Sequence, residues 1–213
     1  TTINLEREKN EIKVESLLHT NGKFNFNQIK KVSSLFNFNV IGIKDVNGIA
    51  DLKTKINFIF NKKFSIKNLS YLAEGDIKYL EINTKEKNVI KKYLPSYDPK
   101  IIVKDTYIKL INTKSDHTVE LNGLIKANDN FDNFKIKEAY NYKEGSFDVA
   151  GFIDLTNSKV KISKLNYYKN EGEESKINFD INFVLNKYYN IKNLNFLAGK
   201  NKIYLSHLKM NKN

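Results

Sequence analysis

The chain has 213 residues, of which 40% are apolar and 12% aromatic, so it can bury a core and is not intrinsically disordered. It lacks cysteine, which excludes disulfide bonds, thiolate metal sites and cysteine nucleophiles. The formal net charge is +12, but Arg7 is the only arginine and the lysines are scattered, so we predict solvated charge and no nucleic-acid binding. A weak attraction to anionic lipid headgroups stays open.

Alternation of apolar and polar residues predicts strands along most of the chain. The candidate strands are 12–18, 36–43, 56–60, 77–82, 101–111, 119–127, 147–155, 177–185 and 203–210. Helix is scarce, because the spacing predicts only two short helices, at 27–36 and at 88–94 before Pro95. Since no helices separate successive strands, parallel βαβ architecture is excluded.

Glycine-containing pairs supply the expected turns between these strands. They are Asn21-Gly22, Asn47-Gly48, Glu74-Gly75, Glu144-Gly145 and Glu171-Gly172. Asn, Asp and Gly tolerate the backbone angles that tight turns need, so each pair predicts a chain reversal.

A sequence repeat links two parts of the chain. Residues 56–73 match residues 181–198 without a gap, so that Ile66 corresponds to Ile191, and 134–140 forms a fainter copy. Each copy is predicted to form strand, short turn, strand, glycine turn and strand. A unit of this kind cannot bury its apolar side alone, so neighbouring units are expected to extend one sheet.

No residue set points to catalysis or metal binding. His19, His117 and His207 are isolated, and no phosphate-binding glycine loop is present. Two S-x-x-K patterns, beginning at Ser158 and Ser206, lack the companion motifs of serine acyl-enzymes. The carboxylate pairs 129/132 and 173/174 lie in polar stretches and are interpreted as solvated loop charge. We therefore predict that the chain is not an enzyme.

A longer sequence motif lies between Gly151 and Lys187. Its parts, in order, are Asp154-Leu155-Thr156, the short strand 160–162, the aromatic pair Tyr167-Tyr168, K-x-x-G at 169–172 and the alternating strand 177–185. A related motif lies upstream, at residues 46–52, and is also followed by an alternating strand. From about residue 44 onward the chain resembles the AsmA-like superfamily of envelope proteins, in the branch typified by YhdP, with TamB more distant. It departs at 157–158, where that family has a small Ala, and at 167–168, where Trp is frequent.

The resemblance implies a periplasmic β structure, tethered by an inner-membrane anchor outside this fragment. It further implies a trough for phospholipid acyl chains moving between inner and outer membranes, without enzymatic activity or cofactor. We therefore predict a mostly β fold: an antiparallel repeated meander forming a curled, groove-like sheet, with one or two short helices. Residues 44–213 are expected to form one continuous AsmA-like sheet. Residues 1–43 are expected to be N-terminal strands, the tail of a preceding repeat in a longer chain.

On this hypothesis the trough is lined by the apolar side chains of the alternating runs. These are Ile56, Phe58, Phe60, Phe147, Val149, Ile153, Leu155, Phe179, Ile181, Phe183 and Leu185. Binding would be driven by hydrophobic transfer, roughly 0.8 kcal/mol per methylene. The same alternation also describes a sealed β-sandwich, which would serve as a structural spacer or protein-interaction module.

Overall fold

The alternating runs form long strands that pair with their sequence neighbours. The computed structural model describes residues 1–8, 11–35, 43–63, 65–84, 95, 97–126, 130–185 and 187–211. The predicted helix at 88–94, and the predicted strand at 36–43 apart from Ile43, lie outside the described residues.

The described elements are thirteen strands, one α-helix and one turn of 3₁₀ helix (Ser163–Leu165). In chain order they are β1 (Thr2–Glu8), β2 (Glu11–Asn25), α1 (Phe26–Leu35), β3 (Ile43–Phe60), β4 (Ile66–Thr84), β5 (Lys100–Asn112), β6 (Asp116–Lys126), β7 (Asp132–Asn141), β8 (Ser146–Asp154), β9 (Val160–Ile162), β10 (Tyr167–Lys169), β11 (Ser175–Val184), β12 (Tyr188–Ala198) and β13 (Asn201–Asn211).

Eleven strands form one antiparallel meander sheet in the order β1-β2-β3-β4-β5-β6-β7-β8-β11-β12-β13. β9 and β10 pair only with each other. The predicted mostly β, antiparallel meander is thus confirmed, as is the helix predicted at 27–36. The boundary predicted between residues 43 and 44 coincides with the start of β3, and strands on both sides of it belong to the same sheet.

Helix α1 begins where a reciprocal cap satisfies its first backbone groups. The backbone N–H of Gln28 donates to Asn25 Oδ1 at 3.1 Å, and the backbone N–H of Asn25 donates to Gln28 Oε1 at 2.8 Å. This pair is a capping box with Asn and Gln in place of Ser and Glu. It explains why β2 gives way to helix at residue 26.

The two ends of the strands differ in how the chain turns. At one end lie short turns, at 61–65, 113–115, 142–145 and 185–187, and we call this end the hairpin margin. Asn141 shapes one of them, because its Oδ1 accepts the backbone N–H groups of Lys143 and Glu144, each at 3.0 Å. At the opposite end, the connection margin, lie α1, the segment 155–174 and the turn at 199–200.

Three of the five predicted glycine turns are wrong. Gly22, Gly48 and Gly75 lie inside β2, β3 and β4, which are therefore longer than predicted, whereas the turns at Gly145 and Gly172 are confirmed. Gly75 has φ +152°, and a Cβ there would overlap the carbonyl oxygen of Asp51 on β3. Glycine is needed at this position for close approach of two strands, not for a reversal.

The sequence repeat corresponds to two hairpins, but their registers differ. The first copy lies in β3–β4, where Ile66 pairs with Phe60, and the second lies in β11–β12. The gapless match would pair Ile191 with Leu185, yet Ile191 pairs with Ile181. The shorter turn at 185–187 is the reason, since a hairpin's register follows from the length of its turn. The copies therefore share strand type and not pairing.

Candidate functional site

The candidate site is one face of the eleven-stranded sheet. In an antiparallel ladder, residues directly opposite each other point to the same side of the sheet. Phe183 pairs with Phe147 and Ile181 pairs with Val149, so apolar side chains of β8 and β11 share one face. The neighbouring strands follow the same rule, because Phe147 pairs with Tyr140 on β7. We call this side of the sheet the apolar face.

The apolar face runs from β2 to β13 through a continuous row near mid-strand. Consecutive registers place the following residues in that row: Thr20, Leu52, Gly75, Ile108, Leu121, Ile136, Gly151, Phe179, Leu194 and Leu205. None of them is charged. Six are aliphatic, two are glycines, and the others are Phe179 and Thr20. We call this row, which crosses the strands at right angles, the aliphatic row.

Nine of the eleven side chains predicted to line the trough lie on this face. Three of them, Ile56, Phe58 and Phe60, are on β3. The other six are Phe147, Val149, Ile153, Phe179, Ile181 and Phe183, on β8 and β11. The two groups are separated by five strand spacings, roughly 24 Å, which β4 to β7 fill. The register thus joins residues that are distant along the chain.

The remaining two predicted lining residues lie outside the strands. Leu185 is in the turn after β11 and its side chain is 46% exposed. Leu155 follows β8 and packs against a small buried cluster of Val160, Phe196 and Ala198. This cluster places the β9–β10 hairpin over the connection-margin end of the apolar face, with the rings of Tyr167 and Phe196 5.9 Å apart. Leu155 is therefore part of a local core.

Aromatic rings line the apolar face beside the hairpin margin. The ring of Phe147 lies 4.5 Å from that of Tyr140 and 4.9 Å from that of Phe183, which in turn lies 5.6 Å from Tyr189. The series continues to His117 and Tyr142, each with its ring 5.4 Å from that of Tyr140. We call these six residues the ring row.

Polar groups accompany the ring row, although they lie on the apolar face. Glu138 pairs with Val119 and Val149, and its Oε1 lies 3.3 Å from His117 Nε2. The hydroxyl of Tyr142 donates to Asn112 Oδ1 at 2.5 Å. Burial, with a smaller contribution from Tyr142, raises the pKa of Tyr71 to about 12. The hairpin-margin end of the face is thus amphipathic, unlike the aliphatic row beside it.

Comparison with protein-family models, curated proteins and solved structures gave no match to this chain. The resemblance to the AsmA-like superfamily therefore depends on the residues quoted for it, and it stays a prediction.

Within this motif, residues 156–172 form a compact hydrogen-bonded loop between β8 and β11. Lys169 is fully buried, and its Nζ donates to the backbone carbonyls of Thr156, Ser158 and Asn170 at 3.1, 2.7 and 2.6 Å. The backbone N–H of Gly172 donates to the carbonyl of Thr156 at 2.8 Å. Burial lowers the pKa of Lys169, against the opposing influence of nearby carboxylates. The K-x-x-G motif at 169–172 thus holds the two ends of the loop between β8 and β11 together by hydrogen bonds.

The interpretation of Asp132 as solvated loop charge is wrong. The residue is buried, its Oδ2 accepts the hydroxyl of Ser158 at 2.8 Å, and its Oδ1 accepts the backbone N–H of Asn157 at 3.0 Å. Burial raises the pKa of Asp132, and the two hydrogen bonds oppose that rise. Its neighbour in the predicted pair, residue 129, lies outside the described residues, whereas Glu173 and Glu174 are exposed as predicted.

The described residues offer no assembled catalytic or metal site. No group of three or more His, Asp or Glu side chains within them could hold a metal ion. His19 Nε2 lies 2.6 Å from Asp51 Oδ1 on the opposite face, and His207 is a β13 residue with φ 56°. Among the helices of the described residues, none has the length and apolar character needed to span a bilayer. The prediction that the chain is not an enzyme stays a prediction.

Sequence reasoning overlooked the polar part of the face. The sequence analysis does not assign Asn112, His117 and Glu138 to it, although all three continue the period of two of their strands. Asn112 follows Ile108 and Leu110 on β5. His117 precedes Val119 and Leu121 at the same parity, and Glu138 follows Ile136. This shared parity is a weak signal for placing polar residues on the apolar face, because polar residues at apolar positions normally argue against a buried face.

Proposed function

We propose that the chain is a non-enzymatic segment of an AsmA-like envelope protein that offers its apolar face to phospholipid acyl chains. The observation that carries this proposal is the uncharged row across ten strands, none of whose residues is fully buried, with the β9–β10 hairpin packed near one end of the face. Ordinary folding would cover such a surface. The AsmA-like resemblance adds the setting: the periplasm, with an inner-membrane anchor outside this fragment and transfer toward the outer membrane.

The energetics favour such a ligand without any catalytic group. An acyl chain that buries ten methylenes on the face gains roughly 8 kcal/mol at about 0.8 kcal/mol each. The aliphatic row has no charged position along its length, so an acyl chain could shift along it without crossing a charge. Transfer then needs only a continuous path.

A curled sheet would shield the ligand from water, and the backbone has features that favour bending. Gly75 and Gly151 occupy the aliphatic row on β4 and β8, with φ +152° and +159°. Residues with left-handed backbone angles also occur at strand irregularities, namely Asn68 and Asp105. Glycine kinks and β-bulges are the devices by which sheets bend. They support a groove-like shape as part of the proposal.

The alternative is a sealed fold that serves as a spacer or interaction module. The described strands of the meander form one sheet, so a sandwich would have to be completed by residues outside the described part, by another chain or by a second copy. A second copy would place two apolar faces together and exclude lipid. The two readings therefore differ in what occupies the face.

The test is organic extraction of the purified protein followed by mass spectrometry, together with titration of a fluorescent fatty acid. We expect near-stoichiometric phospholipid and saturable binding. Val149→Glu, on the apolar face, should reduce binding at least tenfold, whereas the matched control Ala150→Glu, next on the same strand but facing the other side, should not. Circular dichroism of both variants checks that they fold.

A clean extract, no saturable binding and a dimer by light scattering would reject the lipid proposal in favour of the sealed fold. Equal loss of binding in both variants would show that the measured affinity does not belong to the apolar face.

A further inference from the structure

Strand β13 forms one edge of the sheet, and its outer side is open. Within the described part of the chain, its only pairing partner is β12. The strand has eleven residues, about twice the usual length of a strand. Three of its large side chains are well exposed: Tyr204 by 59%, Leu208 by 38% and Met210 by 45%. An edge of this kind offers unpaired backbone groups to another strand.

The apolar face reaches this edge without a charge. The β13 residues that the register with β12 places on that face are Ile203, Leu205, Leu208 and Met210. The other edge of the sheet differs, because Arg7 on β1 pairs with Ile12 and so places a cation on the apolar face. Inward-pointing charges of this kind protect an edge strand from further pairing. Of the two edges, β13 is therefore the one suited to another strand.

The alternation of sides along β13 is broken once. His207 has φ 56° and is skipped in the register with β12. As a result, Leu205 and Leu208 lie on the same side of the sheet although they are three residues apart. On the other side lie Lys202, Tyr204, Ser206 and Lys209. A partner strand must carry a break at the same level if its sides are to match.

A second β13 meets this requirement when the two strands run antiparallel with their breaks together at the centre. Residues directly opposite each other in such a ladder share a side of the sheet. The opposed pairs would be Leu205 with Leu208 and Ile203 with Met210 on the apolar face, and Tyr204 with Lys209 on the other side. Apolar residues then meet apolar residues, and no like charges oppose each other.

Neighbouring registers do not match in this way. A shift by one residue would oppose apolar side chains to polar ones along the whole strand. A shift by two residues would place either Lys202 opposite Lys209 or His207 opposite Leu208. Like charges directly opposite each other are destabilising in a sheet. The sequence of β13 thus favours one self-pairing register.

We propose that the outer edge of β13 is an interface for a second copy of this chain, paired strand to strand about a two-fold axis perpendicular to the sheet. Such an axis makes the pairing antiparallel and keeps both apolar faces on the same side, so the two sheets continue as one. This assembly leaves the apolar faces open, unlike the face-to-face copy of the sealed alternative. It goes beyond the proposed function and does not require bound lipid.

The register is tested by disulfide cross-linking, for which the chain is convenient because it contains no cysteine. Leu205→Cys and Leu208→Cys are purified separately, mixed and oxidised under mild conditions. Opposed residues have Cα atoms about 4.5–5.5 Å apart, within the range of a disulfide. Two copies of Leu205→Cys would place their cysteines three residues out of register, about 10 Å along the strand, which is too far.

The mixture of Leu205→Cys with Leu208→Cys should give at least fivefold more cross-linked dimer than either variant alone. It should exceed by the same factor the mixture of Leu205→Cys with Met210→Cys, which is two residues out of register. Equal yields in all of these samples would overturn the proposed pairing.

The interface itself is tested by sedimentation and light scattering over a concentration series. Leu208→Lys places a charge at the joint and should raise the Kd of the dimer at least tenfold. The matched control is Leu5→Lys, on the same face at the β1 edge, where Leu5 is 69% exposed, and it should leave the Kd unchanged. Circular dichroism checks that both variants fold.

A wild-type protein that stays monomeric at all concentrations would overturn the proposal, as would equal weakening of the dimer by both lysine variants. A dimer that Val149→Glu weakens and Leu208→Lys does not would be the face-to-face assembly, and it would also overturn the edge pairing. Lipid extraction reports separately on the proposed function: a cross-linked edge dimer with a clean extract would support this inference while that function fails.

Discussion

Replacing Lys169 with methionine would remove the ammonium that closes the loop between β8 and β11. The side chain is fully buried and donates three charged hydrogen bonds of 2.6–3.1 Å to backbone carbonyls. Such bonds contribute about 1.5–3 kcal/mol each. The desolvation of the ammonium, which lowers the pKa of Lys169, offsets several kcal/mol of that sum. We expect a net loss of about 3 kcal/mol.

Urea denaturation followed by circular dichroism measures this loss. At an m-value of about 3 kcal/mol per molar, the midpoint should fall by about 1 M. Hydrogen exchange gives a local readout, since the backbone N–H of Gly172 donates to the carbonyl of Thr156 and should lose protection. The matched control is Lys161→Met, which changes an exposed lysine in the same hairpin and should stay within about 0.5 kcal/mol of wild type.

The reasoning would be refuted if Lys169→Met unfolded at the wild-type urea midpoint with unchanged protection of Gly172. That result would mean that the carbonyls find other donors, or that the cost of burying the ammonium equals the gain from its hydrogen bonds.

Three further predictions concern the sheet. Gly151→Ala should destabilise by about 1–3 kcal/mol in thermal or urea unfolding, because the new Cβ would overlap the carbonyl oxygen of Lys135 at a left-handed backbone angle; a wild-type midpoint would contradict the tight strand approach. Phe134→Ala, which empties one of the most buried positions, should cost about 3–5 kcal/mol, and a cost under 1 kcal/mol would show that the site is open. The folded state keeps the Tyr71 proton up to a pKa of about 12, above the ordinary value of 10, so stability should fall as the pH rises from 10 to 12. Tyr71→Phe should lessen that fall in unfolding free energy, and an unchanged pH profile would argue against burial of the hydroxyl.

Strand positions were predictable wherever the alternation was clear. The strand expected at 101–111 is Lys100–Asn112, and the one expected at 203–210 is Asn201–Asn211. Periodicity failed at the glycines of β2, β3 and β4, since Asn-Gly and Glu-Gly pairs suit turns as well as strand kinks. What distinguishes the two cases is a contact with the next strand, such as the phenyl ring of Phe24 over Gly48, which no local pattern contains.

The composition of the apolar face was largely predictable, whereas its continuity was not. Parity within each run predicts which residues share a side, and nine of the predicted residues lie on one face, but their joining depends on the register of β4 to β7. Burial of Lys169 could not be foreseen, because its partners are backbone carbonyls that any sequence provides. Asp132 was misjudged for a related reason: its environment comes from residues 157 and 158, a distant loop.

The pairing order means that each strand of the sheet is held mainly by its immediate neighbours. Nine of the ten neighbouring pairs in the eleven-stranded sheet join strands that are consecutive in the chain, and the exception is the pair β8 and β11. Because support comes mainly from the adjoining strand, fraying at β1 or β13 should progress inward step by step, as in linear repeat arrays. Gradual opening from these two edge strands would allow the sheet to lose strands at its edges while the interior ladders, and the centre of the apolar face, stay intact.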